Sequence, residues 1–77
     1  MVDSKQIIAY CKEQGWHCPV SFGKTNGKRC IYPSPWKMDN DKCLQNWWTI
    51  VIERDEIDFL EMTKIMDKAF ETILARA

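Results

Sequence analysis

The chain has 77 residues, of which 45% are apolar, 12% aromatic and 29% charged, with eleven basic and eleven acidic side chains and a mean hydropathy of −0.41. That profile excludes a disordered segment and, at the whole-chain level, the strongly basic balance of a generic nucleic-acid binder. No apolar run reaches the 18 residues of a membrane span, and the opening Met-Val-Asp-Ser-Lys-Gln does not read as a secretory signal. One compact domain over 1–77 is expected, in the cytoplasm. Four Trp, three Phe and two Tyr supply its core, each ring burying roughly 150–250 Å² when enclosed.

Residues 3–14 read as a helix. Asp3 is the N-cap, and Gln6 stands at the capping-box position. Val2 and Ile7 take the hydrophobic-staple positions, and Ile7, Ile8 and Cys11 form the apolar stripe. Gly15 ends the helix in the left-handed conformation. Trp16 to Phe22 then alternates: Trp16, Cys18, Val20 and Phe22 point one way, and His17, Pro19 and Ser21 the other, as in a half-buried strand. Pro19 has no N–H, which puts this strand at an edge or at a bulge. Asn26-Gly27 marks a tight turn, and Arg29–Tyr32 completes a hairpin.

Pro33-Ser34-Pro35 stops the second strand, and 33–46 reads as a long irregular loop, a feature often tied to function. Trp47 to Glu53 is aromatic and β-branched throughout and is expected to be a third strand, central or with one face covered by a partner. A second helix follows from about Glu56 to Arg76, capped by Asp55. Phe59, Met62, Met66, Ala69, Phe70 and Ile73 form its core stripe. The expected fold is α+β, in the order αβββα: a three-stranded antiparallel sheet with both helices packed on one face.

The element order, and locally the run Tyr10-Cys11-Lys12-Glu13-Gln14-Gly15-Trp16-His17-Cys18-Pro19-Val20, resembles the double-stranded-RNA-binding domain. The resemblance implies an αβββα fold spanning two RNA minor grooves. RNA contacts would then come from the first helix and from Lys24, Lys28 and Arg29 in the first hairpin loop. The chain departs from that family at the last helix, where Asp55, Glu56, Asp58 and Glu61 stand in place of phosphate-binding lysines, and in the long 33–46 loop.

Charge is polarised along the chain. Residues 1–37 carry six basic and two acidic side chains, a balance of +4; residues 38–77 carry five and nine, a balance of −4. The acid is densest at Glu53, Asp55, Glu56, Asp58 and Glu61. A helix start favours two or three carboxylates, and five exceed what capping requires. The excess points to a partner protein with a basic surface, since a field of one sign steers association. Trp36, on the loop beside Met38, is the expected anchor of that contact. The alternative partner is double-stranded RNA or another nucleic acid, held by Lys24, Lys28 and Arg29. A homodimer formed through sheet edges or opposite charges is a further possibility.

The four cysteines, Cys11, Cys18, Cys30 and Cys43, are separated by gaps of six, eleven and twelve residues. No close Cys pair is present, and even with His17 beside Cys18 the spacing does not read as a zinc site. Free thiols are expected. Asp39-Asn40-Asp41 lacks the Gly and Glu that a calcium loop needs at its sixth and twelfth places. His17 and Cys18 are strand neighbours and point to opposite faces, so no nucleophile–base pair is expected between them. The sequence predicts no enzyme and no cofactor. It points to a small interaction module of the inhibitor or adaptor kind that phages and mobile elements encode.

Overall fold

The computed structural model describes residues 2–45, 50–52 and 57–76. The order is α1 (Ser4–Glu13), β1 (Val20–Thr25), β2 (Lys28–Pro33), β3 (Trp36–Asp39), β4 (Lys42–Gln45) and α2 (Phe59–Arg76). The class is α+β. The strands form two separate two-stranded antiparallel sheets, β1–β2 and β3–β4, in place of the expected three-stranded sheet.

α1 begins as its sequence directs. The Asp3 side chain accepts from the Gln6 N–H at 3.0 Å, and the Gln6 side chain accepts from the Asp3 N–H at 2.9 Å. These two bonds satisfy donors that every helix start leaves open. Ile7 and Cys11 are buried, whereas Ile8, placed on the same stripe by its spacing, is exposed. At the other end Gly15 has φ +85°. The Trp16 N–H returns to the Cys11 carbonyl at 2.8 Å and the Gly15 N–H to the Lys12 carbonyl at 3.0 Å. This pair of bonds is a Schellman motif, and it reverses the chain.

The expected strand from Trp16 to Phe22 divides at Pro19. Before it, His17 exchanges both backbone bonds with Trp36, at 2.8 and 2.9 Å. After it, Val20–Thr25 pairs with β2, from Val20 opposite Pro33 to Thr25 opposite Lys28. A residue with no N–H suits the point where a strand changes partner; its carbonyl still accepts from the Ser34 N–H at 2.9 Å. Asn26 (φ 53°) and Gly27 (φ 77°) make the two-residue turn between β1 and β2.

The segment expected as an irregular loop over 33–46 contains a second hairpin. β3 pairs with β4 from Trp36 opposite Gln45 to Asp39 opposite Lys42. Its turn is Asn40 (φ 47°) and Asp41 (φ 69°). Both residue types tolerate the left-handed region, which a type I′ hairpin turn needs twice. Of the expected third strand, Trp47, Trp48, Thr49 and Glu53 lie outside the described residues. Ile52 exchanges backbone bonds with Ile31 at 3.0 and 3.1 Å, as an isolated bridge on β2.

α2 starts at Phe59, three residues later than expected. The expected cap, Asp55, lies outside the described residues. Asp58 performs the capping: its carboxylate accepts from the Glu61 N–H at 2.6 Å. Met62, Met66, Ala69, Phe70 and Ile73 face the core as their spacing predicts, while Phe59, assigned to the same stripe, is half in water. The core joins these side chains to Val2, Ile7, Cys11, Trp16, Cys18, Ile31, Leu44, Ile52 and Ile57. It includes a stack of Trp16 on Phe70, with centroids 4.9 Å apart and planes 8° from parallel. The Lys37 ammonium lies 4.6 Å from the Trp16 ring centroid, adding a cation–π contact from β3. A second link between the helices is the Tyr10 hydroxyl, which donates to the Asp67 carboxylate. The Tyr10 ring also meets Phe59 edge-on at 6.1 Å.

Candidate functional site

Three groups of residues bear on function: the acidic start of α2, the basic tip of the first hairpin, and the cysteines with their neighbours. Of the acidic group, Glu53, Asp55 and Glu56 lie outside the described residues. Asp58 and Glu61 are brought together by the capping bond, so one Asp58 oxygen is engaged with the helix backbone. Asp58 is exposed and Glu61 half-buried.

Between these two carboxylates stand Phe59 and Leu60, 51% and 63% exposed. The Leu60 carbonyl is held by the Thr63 hydroxyl at 2.8 Å. Phe59 rests its ring against Tyr10, which is itself fixed by Asp67. The Asp67 hydrogen bond, more than burial, pushes the Tyr10 phenol up to about 12, because the bond requires the neutral O–H. Two large apolar side chains thus lie exposed in the first turn of a helix, on a backbone ordered by its cap, and are flanked in sequence by two carboxylates. The core stripe assigned Phe59 inward, so its period hid its exposure. Leu60 was not read from the sequence; its place one position off that stripe is the signal that marks it as an outward apolar residue.

Trp36, expected as an anchor on a loop, is the first residue of β3 and half-buried. Its ring stacks on His17, with centroids 4.5 Å apart and planes 28° from parallel. The same two residues exchange their backbone bonds, so the stack follows from the pairing of strands. Trp36 is therefore seated on the β3 side of the molecule as part of a fixed aromatic pair.

Lys24, Lys28 and Arg29 are all exposed at the tip of the first hairpin. Lys24 is directly opposite Arg29, and Lys28 is opposite Thr25. The register places Lys24 and Arg29 on one face and Lys28 on the other. Arg29 also lines a cleft with Val2, Asp3, Phe22 and Cys30. Phe22 is 68% exposed here, although its alternation with Trp16, Cys18 and Val20 pointed it to the core. Near the tip of the same hairpin the Thr25 and Tyr32 hydroxyls share a 2.7 Å hydrogen bond, and the Tyr32 ring lies over Gly23 so closely that a Cβ there would come within 2.8 Å of it.

Cys11, Cys18 and Cys30 are buried and Cys43 is exposed. Among the described residues, no three side chains of the His, Cys, Asp and Glu types converge as a metal site. Cys11 and Cys18, however, share one core cluster. The neighbouring Cys18 thiol, with burial, pushes Cys11 well above the ordinary thiol range. Cys11 in turn, aided by the Ser34 backbone N–H, lowers Cys18 against the opposing effect of burial. The pair was not read from the sequence. Its signal is a six-residue gap spanning a glycine that ends a helix, since such a cap folds the following strand back along the last turn. The His17 ring stacks on Trp36 across the strand from Cys18.

No family model, no curated protein and no solved structure matches the chain.

Proposed function

We propose that the protein is a small, non-catalytic protein–protein interaction module of the inhibitor or adaptor kind, which docks on a partner protein with a basic surface. The observation that supports this most is the exposure of Phe59 and Leu60 between Asp58 and Glu61. Water-facing Phe and Leu at a helix start cost hydration free energy unless a partner covers them, and each contributes about 1.5–3 kcal/mol when fully buried. Glu53, Asp55 and Glu56 extend the acidic run in sequence, and its field would draw in a cationic surface before apolar contact. Trp36, stacked on His17, is a secondary anchor. Four free cysteines favour a reducing, cytoplasmic site of action.

The test is affinity capture with the full chain, with and without nuclease. Wild type is expected to retain a nuclease-resistant protein partner that is released by raised salt. The double variant Phe59→Ser, Leu60→Arg is expected to lose it while keeping the wild-type far-UV circular dichroism. Retention by the double variant, or release by nuclease, overturns the reading.

The alternative function is nucleic-acid binding, which the resemblance to the double-stranded-RNA-binding domain and the three cations at the hairpin tip both favour. It requires affinity for an RNA duplex that falls steeply with salt and disappears when Lys24, Lys28 and Arg29 become Ala. A homodimer, the remaining arrangement, would double the mass seen by light scattering.

A further inference from the structure

We propose that two copies of the chain pair antiparallel along the outer edge of β1, in a two-fold interface centred on Phe22. The register sets Phe22 opposite Ile31, so both side chains stand on one face of the β1–β2 sheet. Ile31 is buried in the core, and Val20, on the same face of β1, packs against it. Phe22 shares that core-facing side and is nevertheless 68% exposed. With Val2 and Ile31 it lines a cleft of about 380 Å³. The core face of the sheet thus ends in an uncovered ring. It does so where the sheet itself stops, since among the described residues only β2 pairs with β1.

The backbone of that edge is set for a further strand. Ile31 and Ile52 exchange both backbone bonds, and the Pro33 carbonyl accepts from the Ile50 N–H. Ile31 and Pro33 therefore turn these groups away from β1. In an antiparallel pair the residue opposite does the same. Phe22 and Val20, opposite them, turn their N–H and C=O outward, and by alternation so does Lys24. These three residues are symmetric about Phe22. A second copy laid antiparallel, Phe22 opposite its counterpart, matches outward groups to outward groups and sets Lys24 opposite the counterpart of Val20 at both ends. The other centres fail. A pairing centred on Lys24 sets two ammonium groups side by side, which repel. One centred on Val20 carries Phe22 past the start of β1. Centring on Phe22 separates the two Lys24 positions by about 14 Å along the strand, beyond the Debye length of about 8 Å. It also brings the two Phe22 rings together on the core face, where each covers the other. The occupant is a second copy because the edge is complementary to itself in hydrogen bonding, apolar contact and charge. A single pair of short strands is small against the roughly 1,200 Å² of a stable interface, so the dimer dissociates on dilution.

The test measures the mass of the full wild-type chain by light scattering from about 1 μM to about 1 mM, with amide hydrogen exchange at both ends of the range. The mass is expected to rise reversibly from 9.1 kDa toward twice that value. The Phe22 and Lys24 amides should gain protection with concentration, while the Gly23 amide, which faces β2, should not change. Phe22→Lys sets like charges directly opposite each other and is expected to raise the dissociation constant by more than about tenfold, with unchanged far-UV circular dichroism. The docking variant Phe59→Ser, Leu60→Arg should dimerise as wild type does, which keeps this interface distinct from the docking function. Three outcomes overturn the proposal. Wild type keeps the monomer mass throughout; or it dimerises while the Phe22 and Lys24 amides exchange as in the monomer; or folded Phe22→Lys dimerises as wild type does. Because the mass and exchange are read on wild type, the result stands even where Phe22→Lys fails to fold.

Discussion

At the scale of single residues, the side chains that matter most act through one directed contact each. The Tyr10 hydroxyl joins α1 to α2 by donating to Asp67, and that bond raises the phenol from 10 to about 12. A folded-state value above the unfolded one means that the bond's contribution is fully present below pH 10. It is lost as the pH rises toward about 12. The stability advantage of wild type over Tyr10→Phe, measured by urea unfolding, is therefore expected to be constant from pH 7 to about pH 9 and to disappear between about pH 10 and pH 12. A difference that did not change across that window would mean that the hydroxyl bond is absent in solution. Gly23 acts by what it lacks, since the Tyr32 ring takes the space a Cβ would occupy. Gly23→Ala is expected to lose about 1 kcal/mol and to break the Thr25–Tyr32 hydroxyl contact, seen as a lower urea midpoint and a shifted Tyr32 resonance.

At the scale of elements, caps and turns decide where each one begins and ends. The Asp3–Gln6 capping box and the Gly15 stop were both legible, because they depend on residues within one turn of the helix end. The start of α2 was placed too early because the run from Asp55 to Asp58 offers more than one capping carboxylate. Position alone does not choose among them; the bond from Glu61 to Asp58 does. Asp58→Ala is accordingly expected to destabilise the fold by about 1 kcal/mol, measured by thermal unfolding, and Asp58→Asn to lose only a few tenths. The hairpin β3–β4 was missed for a related reason. Asn40-Asp41 carries the same tolerance of positive φ as Asn26-Gly27, yet without a glycine it also reads as a polar, cation-seeking run. The register sets Asp39 opposite Lys42 across that turn, a pairing of opposite charges that suits it.

At the scale of the whole molecule, one core draws on both helices and both sheets and includes the Trp16–Phe70 stack. Met66 is fully buried in that core, in a cluster with Ile7, Cys11 and Leu44. Met66→Ala is expected to cost about 2–5 kcal/mol in urea unfolding, a large fraction of the stability of so small a domain. A cost below about 1 kcal/mol would show that the helices do not share one packed interior.

Local chemistry determined much of this protein from its sequence. The two helices, the hairpin at Asn26-Gly27, the α+β class and the inward face of α2 follow from capping, turn preference and periodicity, each decided within a few residues. Tertiary structure decided what depends on residues distant in the chain. It split the strand at Pro19 between two partners, divided the sheet in two, and turned Phe22, Phe59 and Ile8 outward from stripes that pointed in. It also placed Cys11 and Cys18 in one core cluster. Periodicity specifies which side chains share a face, but only the packing of other elements specifies whether that face is covered, and no neighbour in sequence carries that information.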